Sequence, residues 1–292
     1  MSKLDLIAPD SPEAALSRRS LVQAIGGTAL AMTILAGCGG SNNDSNSGSG
    51  GTQGRSDALD DDILTFALNL EYLEAEFYSF ATRGSGIAAN GIGITGVGNS
   101  GPTTGGVKTN FTSTYGAKIA AEITDDETTH VTVLRGALSD KVIAKPAINL
   151  NPFGSNLDLS TENGFLNLAR AFEDVGVTAY RGAAPAILKA SYLGTAASIL
   201  GVEALHTGNV RLQCVEQGLF GSPTGAPLDG KDQLPTASNF FSTDQNSLAF
   251  ARTPREVLRI VLNQPNAATP VNAGGFFPNG VNGNLTRLLA LG

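Results

Sequence analysis

The chain is poor in cysteine, in histidine and in basic runs, and each shortage excludes something. Two cysteines, Cys38 and Cys214, cannot make a disulfide framework. Nineteen basic residues against 26 acidic ones give a net charge of −7, with no long Lys/Arg cluster. A phosphate-binding surface needs such clusters, so nucleic acid is not an expected partner. No apolar run reaches the ~20 residues of a membrane-spanning helix; the longest candidate, 21–36, is 16 residues interrupted by Gln23 and Gly26-Gly27. Only glycine is in excess, at 36 of 292 residues. Because glycine weakens helix interiors, that excess is expected in loops and linkers.

The short apolar run follows Ser17-Arg18-Arg19-Ser20-Leu21 and ends in Leu35-Ala36-Gly37-Cys38. A basic pair, a weakly apolar stretch and small residues read as a secretion signal. The paired arginines resemble the twin-arginine type, and Leu-Ala-Gly-Cys resembles a bacterial lipobox, which implies lipidation at Cys38 and cleavage before it. The alternative is an uncleaved anchor with an incidental cysteine. Residues 39–54 are almost wholly Gly, Ser and Asn and are expected to be a flexible spacer. The expected organisation is a signal over 1–37, a linker over 38–59, a helical domain over 60–218 and a loop-rich extension over 219–292. In that reading Cys214 is a small buried hydrophobe rather than a reactive thiol.

Helical periodicity recurs at 60–81, 115–138, 162–188 and 195–218, predicting an all-α four-helix bundle. Asp60-Asp61-Asp62 suits the positive end of the first helix dipole. Residues 84–106 hold nine glycines and no charge, the composition of a long crossover connection. Ser191–Gly194 is expected to be the short link between helices three and four. In the extension one short helix is expected at 254–262, with Thr253, Pro254 and Glu256 at cap spacing.

The chain's two histidines stand in Glu127-Thr-Thr-His130 and Glu203-Ala-Leu-His206. With 11 glutamates in 292 residues, Glu occupies a given position about once in 27. Both histidines having Glu three places before them by chance is therefore about one in 700. Spacing of three puts carboxylate and imidazole on one helix face. Two such helices face to face supply half of a two-metal site, and the other two helices must supply the remaining carboxylates. Glu173 lies in an apolar helix, and Glu71 competes with Glu74 and Glu76 for the equivalent place. Glu71 and Glu173 are each followed at +7 by a tyrosine, Tyr78 and Tyr180, nearly two turns on and stacked above it. The order Glu…Tyr, Glu-x-x-His, twice over, reads as an internal duplication of a helix pair. Four carboxylates converging in a core would repel one another unless two divalent ions neutralised them.

This pattern resembles the ferritin-like superfamily, including rubrerythrins and bacterioferritins. The stretch Phe66–Tyr78 (FALNLEYLEAEFY) is more similar to a ferritin-like domain family that includes plant desiccation-related proteins and many exported bacterial proteins. The resemblance covers about 60–218, the short tail helix and Gly274-Gly275-Phe276-Phe277. It implies Glu71, Glu127, His130, Glu173, Glu203 and His206 as ligands of two metal ions, iron or else manganese. It also implies Tyr78 and Tyr180 as near-site catalytic candidates, which read equally as core aromatics bonded to a carboxylate. Asp126 and Asp174 could each orient a ligand, but acids so placed more often face solvent, and neither is included among the site residues. The implied chemistry is iron oxidation and reaction with oxygen or peroxide. A peroxidase would need an electron-donor protein, since the chain has no Cys-rich iron site, and a homodimer is also open. Twin-arginine export, which moves folded proteins, suits a site filled before secretion. The competing reading is a non-enzymatic stress or envelope protein with a structural metal. Iron storage needs a closed shell, which a tethered chain with a long tail does not suit.

Overall fold

The computed structural model describes residues 56–225, 228–264 and 272–291. The signal, the lipidation residue Cys38 and linker residues 38–55 lie outside the described residues; the expected linker over 38–59 is corrected at its end, because Ser56 caps a first helix that already begins at Asp57. Four long helices, α1 (Asp57–Arg83), α2 (Thr114–Leu138), α3 (Glu162–Ala183) and α4 (Ala190–Glu216), form a bundle, followed by the short α5 (Pro254–Val261) and α6 (Leu285–Leu289). The helices pack chiefly as two pairs, α1 with α2 and α3 with α4. Among the described residues no helix is long and apolar enough to cross a membrane.

Local chemistry fixes the helix starts. Ser56, Ser113 and Thr161 each accept an N–H from the first turn of α1, α2 and α3, removing one orphan donor apiece. Thr253 and Glu256 form a reciprocal capping box on α5. α1 is the central helix, buried along nearly its whole length, whereas α4 buries one stripe through Ala196, Ile199, Glu203, His206 and Val210. That 3-4-3-4 spacing is a helix with one face to the core.

Three sequence expectations change in detail. The third helix ends at Ala183, five residues early, in a 3₁₀ turn holding Pro185, whose ring cannot continue an α-helix. The fourth begins at Ala190, so Ser191–Gly194 is helical and the link is 184–189. Asp60 decides this. It is fully buried, and its carboxylate accepts the backbone N–H groups of Leu188 and Lys189, tying the α3–α4 link to α1. The acidic triplet is thus more than a dipole partner: Asp61 pairs with Lys141 and Lys189, and Asp62 with Arg287 of α6.

The Gly-rich segment joins antiparallel neighbours. The connection that travels the length of the bundle is 139–161. It starts at the foot of α1, where Lys141 meets Asp61, and ends where Glu162 binds Thr112 and Ser113 at the head of α2. The two connections lie side by side, and β1 (Thr103–Thr104) pairs in parallel with β2 (Ile148–Asn149). Glycine is required there: a Cβ on Gly101 would stand 2.5 Å from the Ala147 backbone.

The extension wraps the α1/α3 side and carries a second helix, α6, besides the expected one. Phe276 packs edge-on against Phe172 with centroids 5.0 Å apart. Asn282 exchanges two backbone bonds with the Asn69 side chain of α1, while its own amide reaches the carbonyls of Asn99 and Ala144. Cys214 is buried as expected, and burial pushes its thiol up to about 12, so it is a packing residue.

Candidate metal centre

Each of the four long helices sends one glutamate to the middle of the bundle: Glu71, Glu127, Glu173 and Glu203, all with no solvent exposure. The imidazoles of His130 and His206 join them, with ring centroids 6.2 Å apart. His130 Nδ1 lies 3.2 Å from Glu71 Oε2, 3.4 Å from Glu127 Oε2 and 3.7 Å from Glu203 Oε1. His206 Nδ1 lies 3.1 Å from Glu127 Oε1 and 3.2 Å from Glu173 Oε2. Two four-residue clusters result, Glu71–Glu127–His130–Glu203 and Glu127–Glu173–Glu203–His206. Within each, the ligand atoms lie within 4.8 Å of one another. Glu127 and Glu203 belong to both.

The orphaned atoms show what this arrangement fits. Buried polar atoms are almost always partnered. Yet Glu71 Oε2, both oxygens of Glu127, Glu173 Oε2, both oxygens of Glu203, and Nδ1 of each histidine are buried with no hydrogen bond to any group outside the cluster. Each of the six side chains offers a ligand atom to one or both clusters, and hard carboxylate oxygens with imidazole nitrogens are the donor set of first-row divalent metals. The residues therefore fit a two-metal carboxylate–histidine centre.

The tyrosines are placed differently from the sequence reading. Neither bonds the glutamate on its own helix. Tyr78 of α1 donates to Glu173 Oε1 on α3, and Tyr180 of α3 donates to Glu71 Oε1 on α1. Stacking at +7 lifts each hydroxyl past its own carboxylate and across the pair. The swap is symmetric, as the duplicated pattern requires. Each tyrosine occupies Oε1 and leaves Oε2 for the centre. Burial, then the glutamate charge, raises both phenols well above their ordinary value, so they stay donors.

The charges are unequal. Burial pushes the Glu127 carboxyl up, but bonds to His130 and then His206 outweigh it and hold it at about 2. Burial, then Glu127, raises Glu71 to about 7, and burial and neighbouring carboxylates push Glu203 well above the usual range. Burial lowers the imidazoles, but Glu127, with Glu71 or Glu173, lifts His130 to about 10 and His206 to about 11. Metal-free protein at neutral pH thus holds protons where metals would sit. The raised His values contribute stability that is whole below pH 6.5 and is lost as pH rises through 10–11. Raised Glu71 acts in the same direction, its contribution being lost through pH 7. The melting temperature of chelator-stripped protein, followed by circular dichroism, is expected to fall steadily from pH 6 to pH 10. A flat or rising profile would contradict this charge arrangement.

Three nearby residues lie outside the expected site set, two of them weighed and left out and one, Gly176, missed. Asp126, set aside as solvent-facing, has a side chain 45% exposed, yet its Oδ2 lies 3.0 Å from His206 Nε2. It orients the ring with Nδ1 inward. Asp174 instead turns away to Arg170 and Arg211. Gly176 stands three residues after Glu173, where the other motif has histidine, and a Cβ there would lie 2.1 Å from Glu203 Oε2. Its signal was the repeat itself: Glu71-x-x-Glu74, Glu127-x-x-His130, Glu173-x-x-Gly176, Glu203-x-x-His206. Gly176→Ala is expected to displace the shared Glu203 carboxylate and weaken metal binding by about tenfold or more, an effect of ~1.4 kcal/mol upward. Competition with a chromogenic chelator measures it, and unchanged affinity would show that Glu203 has room to move.

A helical bundle with this site defines a class. Residues 59–216 match the family described as Ferritin-like domain, and the chain belongs to that family. A similar protein is the "Ferritin-like catalase Nec2" of Nesocodon mauritianus, 25% identical over 281 residues that cover 79% of this chain and 86% of that protein.

Proposed function

We propose that the protein holds two first-row metal ions, iron or manganese, between Glu71, His130, Glu173 and His206, with Glu127 and Glu203 shared, and that it reacts with peroxide. The observation that carries this reading is the pair of overlapping clusters of buried carboxylate and imidazole ligand atoms, which bond no group outside the cluster. A metal pair there supplies two-electron redox chemistry. The chain's own residues do the rest. Tyr78 and Tyr180 fix Glu173 and Glu71 through one oxygen each. Asp126 fixes the His206 ring. The surrounding apolar core, including Phe77, Phe165 and Phe172, excludes bulk water.

The similarity to a protein named a catalase favours disproportionation, in which one peroxide is oxidised to O₂ and another reduced to two waters. That reaction balances without an external electron donor, so no donor protein is needed. The proposal includes export and a lipid on Cys38, from the paired arginines and the Leu-Ala-Gly-Cys sequence. Mass analysis of the mature N-terminus tests that part.

The functional test loads the full chain with Fe(II) or Mn(II) under anaerobic conditions, counts metal, then adds peroxide. Two metals per chain with one O₂ released per two peroxides consumed is the expected result. Two metals with Fe(II) oxidation and no O₂ would move the reading to an oxidase. No stoichiometric metal in a folded chain would overturn it in favour of a non-enzymatic envelope protein.

A further inference from the structure

The C-terminal extension builds something on the bundle. Between it and the α1/α3 face lies a cavity of about 530 Å³. Leu70 and Phe172 line it from the bundle, and Leu228, Ile260, Val261 and Phe276 from the extension. At its inner end stand Glu74 and Gly176, and a Cβ on Gly176 would lie 2.1 Å from the shared ligand Glu203 and 3.5 Å from Glu74 Oε1. The cavity therefore reaches to within one residue of the metal centre.

Two features say what it takes. First, its size: a water molecule occupies about 30 Å³ of liquid, and hydrogen peroxide little more, whereas organic ligands occupy pockets of about 300–1,000 Å³. Second, its polarity: the walls are mostly apolar. The carboxyl group of Glu74, at the inner end, is only 5% exposed, and no hydrogen bond or ion pair ties it to another side chain among the described residues, so its carbonyl oxygen is free to accept. A buried polar group without a partner is costly. Here an incoming O–H donor would satisfy it. The mostly apolar lining includes no Lys, Arg or His among the described residues, so an anion would lose its hydration without gaining a cationic partner.

We propose that this cavity binds a neutral, mostly apolar organic molecule carrying one O–H donor, an alcohol or hydroperoxide, with that group directed at Glu74. The inference deepens the peroxide reading by naming what can approach the centre, and rests on it only for what lies beyond Glu74. Binding itself needs no metal.

The test is calorimetric titration of the full chain, as isolated and after chelator treatment, with four probes of one shape: 2-phenyl-2-propanol, cumene hydroperoxide, isopropylbenzene and 4-isopropylbenzoate. The first two are expected to bind one per chain, isopropylbenzene about fivefold more weakly, and the benzoate at least tenfold more weakly. Ala171→Phe, which fills the cavity from α3, is expected to weaken the alcohol at least tenfold while circular dichroism and metal content stay unchanged. Glu74→Leu should remove the preference for alcohol over hydrocarbon. Equal binding of the anion, undiminished binding to a folded Ala171→Phe chain, or no binding of any probe would each overturn the proposal. Metal content is counted separately, so a chain that binds the alcohol yet takes up no metal would sink the peroxide reading and leave this one standing.

Discussion

Glu127→Gln is expected to empty both metal positions, taking the metal content of the loaded chain from two ions to fewer than about 0.2. Glu127 contacts both histidines with different oxygens, Oε2 toward His130 at 3.4 Å and Oε1 toward His206 at 3.1 Å. It is also the one carboxyl of the four clustered ligands held below the usual range, at about 2, hence the most firmly ionised of them. Glutamine keeps the shape but loses the charge and turns one oxygen into an NH₂ group that cannot ligate a metal. Glu173→Gln is the control, because Glu173 belongs to one cluster only and its loss is expected to leave about one ion. Elemental analysis reads the stoichiometry. Melting curves give a second readout. Metal that binds only the folded state raises the melting temperature, so added metal should stabilise the parent chain and do nothing for Glu127→Gln. Two ions retained in that variant would dismantle the shared-ligand reading.

The second large effect lies outside the centre, in a buried charge cluster that fastens the extension to the bundle. Arg170 Nη1 bonds Asp232 in the extension and lies 3.2 Å from Asp174, while Arg211 Nη1 lies 2.7 Å from Asp174 and donates to the Gln233 carbonyl. All four side chains are nearly inaccessible. Removing one member of such a cluster leaves a buried charge uncompensated, at a cost of about 3–5 kcal/mol, whereas removing a pair together can be nearly neutral. Arg170→Met strands Asp232 and is expected to destabilise by that amount. Adding Asp232→Leu should recover most of the loss. Urea denaturation of metal-free protein measures both. A double variant as unstable as the single one would mean that Arg170 matters for packing rather than for charge.

Much of this was legible in the residues. The four helices follow from periodicity, and the starts of α3 and α5 from Thr161 and Thr253 at cap positions, since capping is local in sequence, whereas the α1 cap, Ser56, lies before the expected start at 60. The inward glutamates and histidines follow from spacing of three on apolar helix faces. Helix ends were less legible. The α3–α4 link sits where it does because Asp60, about 128 residues away, caps it. Asp174 and Asp126 were indistinguishable as acids beside a motif glutamate. Only the packing sends one to a pair of arginines and the other to His206.

What the sequence determined by itself was the all-α class, the two Glu-x-x-His motifs and the duplicated pairing of each with a Glu followed at +7 by Tyr. These are short-range patterns, set by the 3.6-residue turn. What the tertiary structure alone decided was which atoms meet. It crossed the tyrosines to the opposite glutamates, made Glu127 and Glu203 common to both clusters, gave Gly176 its purpose as space for Glu203, and closed a cavity over Glu74 with the extension. Those contacts join residues tens to hundreds of positions apart, and their geometry depends on how whole helices and the extension pack, which no local spacing encodes.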